Sequence, residues 1–347
     1  MENERRVVVT GMGIISPVGN SIDAAWDSVC NGRSGIGPIT AFDASEFKTR
    51  VAGEIRDFDV EEYMPRKEAR KFDTFIHYGM AASIQALRDA GLESEDHGVN
   101  HERIGCALAA GIGGIATIEE TTLTFAKGGP RKVSPFFIPG TIANMIAGNL
   151  SIRYGFKGPN IAIVTACSTA THNMGSAARM IQYGEADVMV AGGAEYATSP
   201  TAMSGFISAR AMTTRNDEPT LASRPWDEDR DGFVLSNGAG VMVLEELEHA
   251  KARGANIYGE ITGFGMSGDA HHMTAPPADG EGAARCMKIA VADAGLNPAE
   301  IDYINAHGTS TGLGDRAESD AIKTAFGSHA FELVVSSTQS MTGHLLG

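Results

Sequence analysis

Val7-Val8-Val9-Thr10-Gly11-Met12-Gly13 reads as a strand running into a glycine turn, and Ile257-Tyr258-Gly259-Glu260-Ile261-Thr262-Gly263-Phe264-Gly265 reads the same way. Each is followed by helical periodicity that stops in one tetrapeptide: Asp89-Ala90-Gly91-Leu92 after the first, Asp293-Ala294-Gly295-Leu296 after the second. The glycine stands where a helix stop is expected. An apolar strand comes next, at residues 104–111 and 301–308, and a third strand at 161–166 and 333–337. Three matched elements in one order indicate an internal duplication. Short apolar runs alternating with helical periods predict mixed or parallel sheets covered by helices. The expectation is an α/β chain of two pseudo-symmetric halves, residues 1–255 and 256–347. The first copy continues through a helix at 168–183, Gly184, and strands at 186–191 and 238–245, whereas the second reaches Gly347 before any counterpart. The second half is therefore expected to lack its last helix and two strands, leaving an apolar face and a sheet edge uncovered.

The 347 residues are 20% charged and 43% hydrophobic, an ordinary globular balance. No apolar run approaches the ~18 residues of a membrane span, and the segment Met1-Glu2-Asn3-Glu4-Arg5-Arg6 lacks the apolar centre of a secretory signal. Four widely separated cysteines make no metal-type spacing, so reduced thiols and a cytoplasmic location are expected. A net charge of −15 argues against nucleic acid as a partner, and an acidic partner would need a local basic patch. Gly11-Met12-Gly13-Ile14-Ile15-Ser16 and Gly111-Ile112-Gly113-Gly114-Ile115-Ala116 both miss the last glycine of a dinucleotide fingerprint, and no phosphate loop occurs. No cofactor is expected.

In Val164-Thr165-Ala166-Cys167-Ser168-Thr169-Ala170 a strand runs straight into a helix at the cysteine. The unpaired amides and dipole of a helix N-terminus favour a thiolate, so Cys167 is expected to carry a lowered pKa and act as nucleophile. Cys30, Cys106 and Cys286 have no such setting and are assigned to packing. Two histidines stand in the second copy: Asn305-Ala306-His307-Gly308-Thr309-Ser310-Thr311 lies at a strand end, and Met341-Thr342-Gly343-His344-Leu345-Leu346-Gly347 follows the next strand. If the halves face each other, both imidazoles converge on Cys167. Two neutral imidazoles suit a site that stabilises charge developing on a thioester carbonyl. Each alone also fits a polar residue at a surface turn. Metal ligation is disfavoured because no third ligand is near in sequence, and Asp269-Ala270-His271-His272 reads as a loop.

At these segments, together with Arg224-Pro225-Trp226-Asp227 and Arg230-Asp231-Gly232-Phe233, the chain resembles the beta-ketoacyl-acyl-carrier-protein synthases, type II form, from Val7 to Gly347. The resemblance implies a thiolase-like fold of layered α-β-α-β-α architecture and a homodimer, with the strand leading to Cys167 near the two-fold axis. It also implies acyl transfer from acyl carrier protein to Cys167, followed by decarboxylative condensation with malonyl-acyl carrier protein. By match, His307 and His344 assist decarboxylation, Thr309 and Thr311 bind the pantetheine arm, and Ile112 and Phe206 line the acyl pocket. Asp315 and Glu318 support the site from behind, and Arg66, Lys67, Arg70, Lys71, Arg131, Lys132 and Arg210 dock the acidic carrier. Those cations read equally as solvated helix charge.

The chain departs from that pattern at Gln339, where the family has lysine, and at Gly312, where it usually has proline. Loss of the cation is expected to alter the histidine electrostatics and slow acyl transfer or decarboxylation. The resemblance further implies a C-terminal glycine-rich loop with a phenylalanine gate, one of whose amides completes an oxyanion hole. Its absence leaves an impaired or non-catalytic paralogue as one alternative. A thiolase acting on coenzyme A esters is another, although its second cysteine has no counterpart, since Cys286 falls in a predicted helix.

Overall fold

The strand predicted at residue 7 forms as Val7–Ile15 (β1) in a computed structural model, which describes residues 5–94 and 98–347. Residues 1–4, part of the N-terminal segment read above, lie outside the described residues. β1 joins Ile104–Ala109 (β2), Asn160–Ile161 (β3), Val188–Glu195 (β4), Gly238–Glu246 (β5) and Gly259–Ile261 (β6) in a sheet ordered β3-β2-β4-β5-β1-β6. β3, β2 and β4 run parallel, while β5 is antiparallel to β4 and β1, and β6 is antiparallel to β1. The sheet is mixed, one of the two arrangements that the periodicity predicts.

Strand alternation decides what covers each face. Val188, Val190, Val241 and Val243 enter the core that holds Phe75, Ile84 and Leu87 of Thr74–Asp89 (α1). Met189, Ala191 and Leu244 point the other way, towards Ala177, Ala178 and Ile181 of Thr169–Gln182 (α2). α1 starts where the Asp73 carboxylate accepts the Phe75 amide, and it stops at Gly91.

The duplication is visible in how each first strand meets its helix. Cβ atoms on Gly11 and Gly13 would come within 2.2 Å of the Ala86 carbonyl oxygen and 2.0 Å of that of Ala82, so only glycine lets β1 lie against α1. Gly263 and Gly265 lie as close to Glu281–Asp293 (α3), at 2.3 Å from the Ala290 oxygen and 2.2 Å from that of Cys286. Asp89 accepts the Met12 amide, and Asp293 accepts the Phe264 amide. Gly91 and Gly295, the two helix stops, both have φ of +69°.

The copies differ in their sheets. Tyr303–Asn305 (β7) and Val334–Ser336 (β8) pair in parallel as a separate two-stranded sheet, whereas β6, the first strand of the second copy, hydrogen-bonds to β1. The strand predicted at 161–166 shortens to β3. Beyond it, the Asn173 side chain donates to the Ile163 carbonyl and accepts its amide, as a neighbouring strand would. The strand predicted at 186–191 runs on to Glu195. Cys30, expected to pack, is exposed at the end of Ile22–Cys30. The halves meet across α2, where Phe264 lies against Gly175 and Arg179 pairs with Asp293. Among the described residues no helix is long and apolar enough to cross a membrane.

Gly13→Ala should cost about 1–3 kcal/mol of unfolding free energy in urea. Gly240→Ala, whose added methyl meets nothing within 4 Å, should change it by under about 0.5 kcal/mol. Equal losses in the two variants would mean that the helix contact does not require glycine.

Candidate active site

The strand expected to run straight into the helix at the cysteine ends instead at Ile161; residues 162–165 lead on without pairing in the sheet, Ala166 takes φ +50°, and a single 3-10 turn, Ala166–Ser168, carries Cys167 to the threshold of α2. The sulfur lies 2.9 Å from His344 Nε2. The His307 and His344 rings are perpendicular, with centroids 5.2 Å apart. One ligating atom from each of Cys167, His307 and His344 lies within 4.8 Å of the others. The convergence expected from the duplication is thus present. Cys167 and His307 are exposed and His344 is buried, so the site is a cleft with one imidazole at its floor.

Backbone clamps hold both histidines. The His344 amide donates to the Val234 carbonyl, and the Ser236 amide donates to the His344 carbonyl, so the second half is stitched to the first just before β5. Gly343 has φ +68°, and a Cβ there would strike Ser236 Oγ at 2.0 Å. The Glu318 carboxylate accepts the amides of His307 and Gly308, and Ser337 Oγ donates to their carbonyls. Asp315, on the same helix Gly312–Phe326 (α4), is buried. It accepts the amides of Trp226 and Ser310 and pairs with Arg230 at 3.4 Å. The Arg224–Phe233 stretch, quoted above without a structural role, is the strap between the halves. Thr309 Oγ1 and Thr311 Oγ1 are 3.2 Å apart at the entrance to α4, whose Gly312 meets no neighbour that would exclude a side chain.

Burial pushes His344 down to about 3, and the neighbouring His307 adds to the shift. His307 is lowered as well, by the protein packed round its ring, although the carboxylates of Glu318 and Asp315 pull the other way. Both imidazoles are neutral at physiological pH. The expectation for Cys167 is corrected: its pKa is raised, not lowered. Burial of the sulfur outweighs the backbone hydrogen bond that opposes it, and the Glu195 carboxylate raises it further. The residue is exposed, yet the surroundings of its sulfur desolvate a thiolate. Cys106 is fully packed and pushed up to about 12, and Cys286 faces the Gly265 carbonyl on α3, away from the site.

Gln339 Nε2 lies 3.3 Å from His307 Nδ1, and its Oε1 is buried with no partner. The sequence reading missed Glu195. This buried carboxylate at the end of β4 accepts the amides of Gly111, Ile112 and Gly113. Burial raises it to about 7 against the pull of those three amides. An acid closing the apolar run 188–194 was the available signal. Ile112 is 41% exposed, and Phe206 reaches His344 through Phe233, with ring centroids 5.4 and 5.6 Å apart in turn. Arg70, Lys71 and Lys132 line one cavity of about 610 Å³, which joins two basic clusters that are separate in sequence. Arg66 pairs with Glu61 at 3.7 Å, while Lys67, Arg131 and Arg210 stand exposed.

A thiol beside two neutral imidazoles can take up an acyl group and hold charge that develops on a carbonyl oxygen. The chain belongs to the beta-ketoacyl synthase family: the N-terminal domain of that family matches residues 4–250 and the C-terminal domain residues 258–347. It is 60% identical over 346 residues to the "3-oxoacyl-[acyl-carrier-protein] synthase 2" of Vibrio cholerae, covering 99% of this chain and 83% of that one. To the protein of the same description from Staphylococcus aureus it is 48% identical over 347 residues, covering 100% and 83%. Among solved structures, a beta-ketoacyl synthase from Burkholderia phymatum superposes with TM-score 0.90 at 37% identity, covering 99% and 83%. A ketosynthase of a type II PKS, solved in complex with its acyl-carrier protein, gives 0.91 at 34% with the same coverage.

Because ionised Glu195 opposes the thiolate, Glu195→Gln should speed iodoacetamide alkylation of Cys167 a few-fold at about pH 8.5 and converge with wild type at about pH 5.5, where the acid is protonated. A gap unchanged at the lower pH would assign the effect to packing instead of charge.

Proposed function

We propose that this chain is a 3-oxoacyl-[acyl-carrier-protein] synthase of fatty acid elongation. The observation that carries the reading is the 2.9 Å contact between Cys167 Sγ and His344 Nε2, with His307 as second imidazole. Cys167 attacks the thioester carbonyl of an acyl group carried on phosphopantetheine, and the carrier thiol leaves with the proton. Malonyl-acyl carrier protein then binds, and carbon dioxide departs from its malonyl group. The electron pair left behind forms an enolate on the thioester carbonyl. The imidazoles of His307 and His344 donate hydrogen bonds to that oxygen, which desolvated neutral donors do without stabilising an ion before it forms. The carbanion attacks the acyl-cysteine, the sulfur of Cys167 leaves, and a 3-oxoacyl chain two carbons longer departs on the carrier.

The other residues take supporting parts in the same reading. Residues 1–255 form the half that carries the nucleophile, and residues 256–347 the half that carries the histidines. Gln339 donates to His307 Nδ1 and so keeps the proton on Nε2. Asp315 and Glu318 fix the His307 turn, Thr309 and Thr311 receive the pantetheine, and Ile112 and Phe206 border the acyl chain. Arg66, Lys67, Arg70, Lys71, Arg131, Lys132 and Arg210 meet an acidic carrier whose approach their charge steers despite the overall −15. The exposed apolar side chains of Ile138, Ile142, Ile152 and Val164 support a homodimer. Four free cysteines fit a cytoplasmic setting.

Incubation with a long-chain acyl-acyl carrier protein should add one acyl mass to the intact chain, and Cys167→Ala should abolish the gain. His307→Ala and His344→Ala should each slow carbon dioxide release from malonyl-acyl carrier protein by about 10²–10³. An acyl adduct that survives Cys167→Ala would overturn the reading. So would a condensation profile with a limb near pH 6.5 that His344→Ala removes, because His344 is neutral there.

A further inference from the structure

We propose that Cys167, His307 and His344 form a binding site for a single zinc-class divalent cation, held through one sulfur and two nitrogens, with Gln339 as the partner that orients His307. The inference does not depend on the condensation chemistry above. The sequence disfavoured a metal because no third ligand lay near the histidines; the fold supplies it from the other half of the chain. Thiolate and imidazole ligands are the set that selects zinc over magnesium or calcium, which demand oxygen.

The geometry is close to what a tetrahedral ion needs. With Zn–S of about 2.3 Å and Zn–N of about 2.0 Å, ligand atoms stand roughly 3.5 Å apart. The three atoms here already lie within 4.8 Å of one another, and Cys167 Sγ and His344 Nε2, at 2.9 Å, need to part by about 0.6 Å. Exposure of Cys167 and His307 gives an ion an entry path and leaves the fourth position open to water. As the Zn–S bond forms, the Cys167 thiol gives its proton to solvent.

Gln339 is what makes the site suitable. A ligating histidine usually donates its second ring N–H to a fixed acceptor. Gln339 sits at His307 Nδ1 and carries a buried oxygen with no hydrogen-bond partner. A half-turn of the amide sets that Oε1 against Nδ1–H and leaves the lone pair of Nε2 for the ion. Lysine at this position would offer no acceptor and would add a positive charge beside the metal. The Glu318 carboxylate on the His307 and Gly308 amides leaves a local field that favours a cation.

Binding occupies the Cys167 sulfur, so it should block alkylation and acylation reversibly. The test is titration of the apo chain with zinc chloride in thiol-free buffer, read by competition with a chromophoric chelator, and a parallel titration with cobalt(II). We expect one equivalent bound, protection of Cys167 from iodoacetamide that a chelator reverses, and a thiolate-to-cobalt charge-transfer band with tetrahedral d–d absorption. Cys167→Ser should abolish the band, and Gln339→Lys should weaken zinc binding by about 10–100-fold. The exposed pair His271 and His272 is the competing site. Binding that vanishes in His271→Ala/His272→Ala but persists in Cys167→Ser would overturn the proposal, as would a wild-type cobalt complex with no thiolate band. Unchanged affinity in Gln339→Lys would remove Gln339 from the site. Acyl transfer in the metal-free chain is read separately, so failure of the condensation reading and failure of this one are distinguishable.

Discussion

The whole arrangement depends on how closely a strand can lie on a helix. Gly11 and Gly13 bring β1 against the backbone of α1, and Gly263 and Gly265 repeat that approach on α3. A methyl group at any of these positions would force strand and helix apart, because the facing atoms are carbonyl oxygens of a rigid helix and not movable side chains. The two joints set the distance of each half from α2, which lies against the first sheet on one side and touches Phe264 and Asp293 on the other. Cys167 sits at the threshold of that shared helix. Its distance from histidines contributed by the second half is therefore fixed by packing far from the chemistry.

Close to the site, carboxylates on backbone amides take over. Glu195 closes the Gly111–Gly113 turn, Glu318 holds the His307 turn, and Asp315 fastens that turn to the strap at Trp226. Each anion is placed where several N–H groups would otherwise lack partners, which offsets its desolvation. The consequence differs with depth. Glu195 is buried enough that its three amides do not restore an ordinary acidity. It can gain or lose its proton near neutrality a short way from the nucleophile.

The duplication was legible because it is written in residues that local geometry requires: the paired glycines and the Asp-Ala-Gly-Leu stops. Cys167, His307 and His344 could be singled out because the turns that carry them follow apolar runs in the sequence. What could not be read depends on contacts between distant residues. Nothing in 161–166 announces that Asn173 will satisfy Ile163 in place of a strand, or that β6 will pair with β1. The raised thiol was misjudged for the same reason. The helix start is a local feature, whereas the density of protein round the sulfur and the approach of Glu195 belong to the fold.

Gln339 shows how one neutral substitution reorganises such a site. Burial already holds both imidazoles neutral, so a charged amine beside His307 would lower its basicity further and leave the ring only a donor's part. An amide has both a donor and an acceptor end, and the second is unpartnered here. Either tautomer of His307 can then be matched by a half-turn of one side chain. With the proton on Nε2 the ring is a donor to an oxyanion; with the proton on Nδ1 it offers a lone pair to an electrophile. The two uses exclude each other at a given moment, so whatever occupies the cleft decides which one prevails, through its differential affinity for the two tautomers.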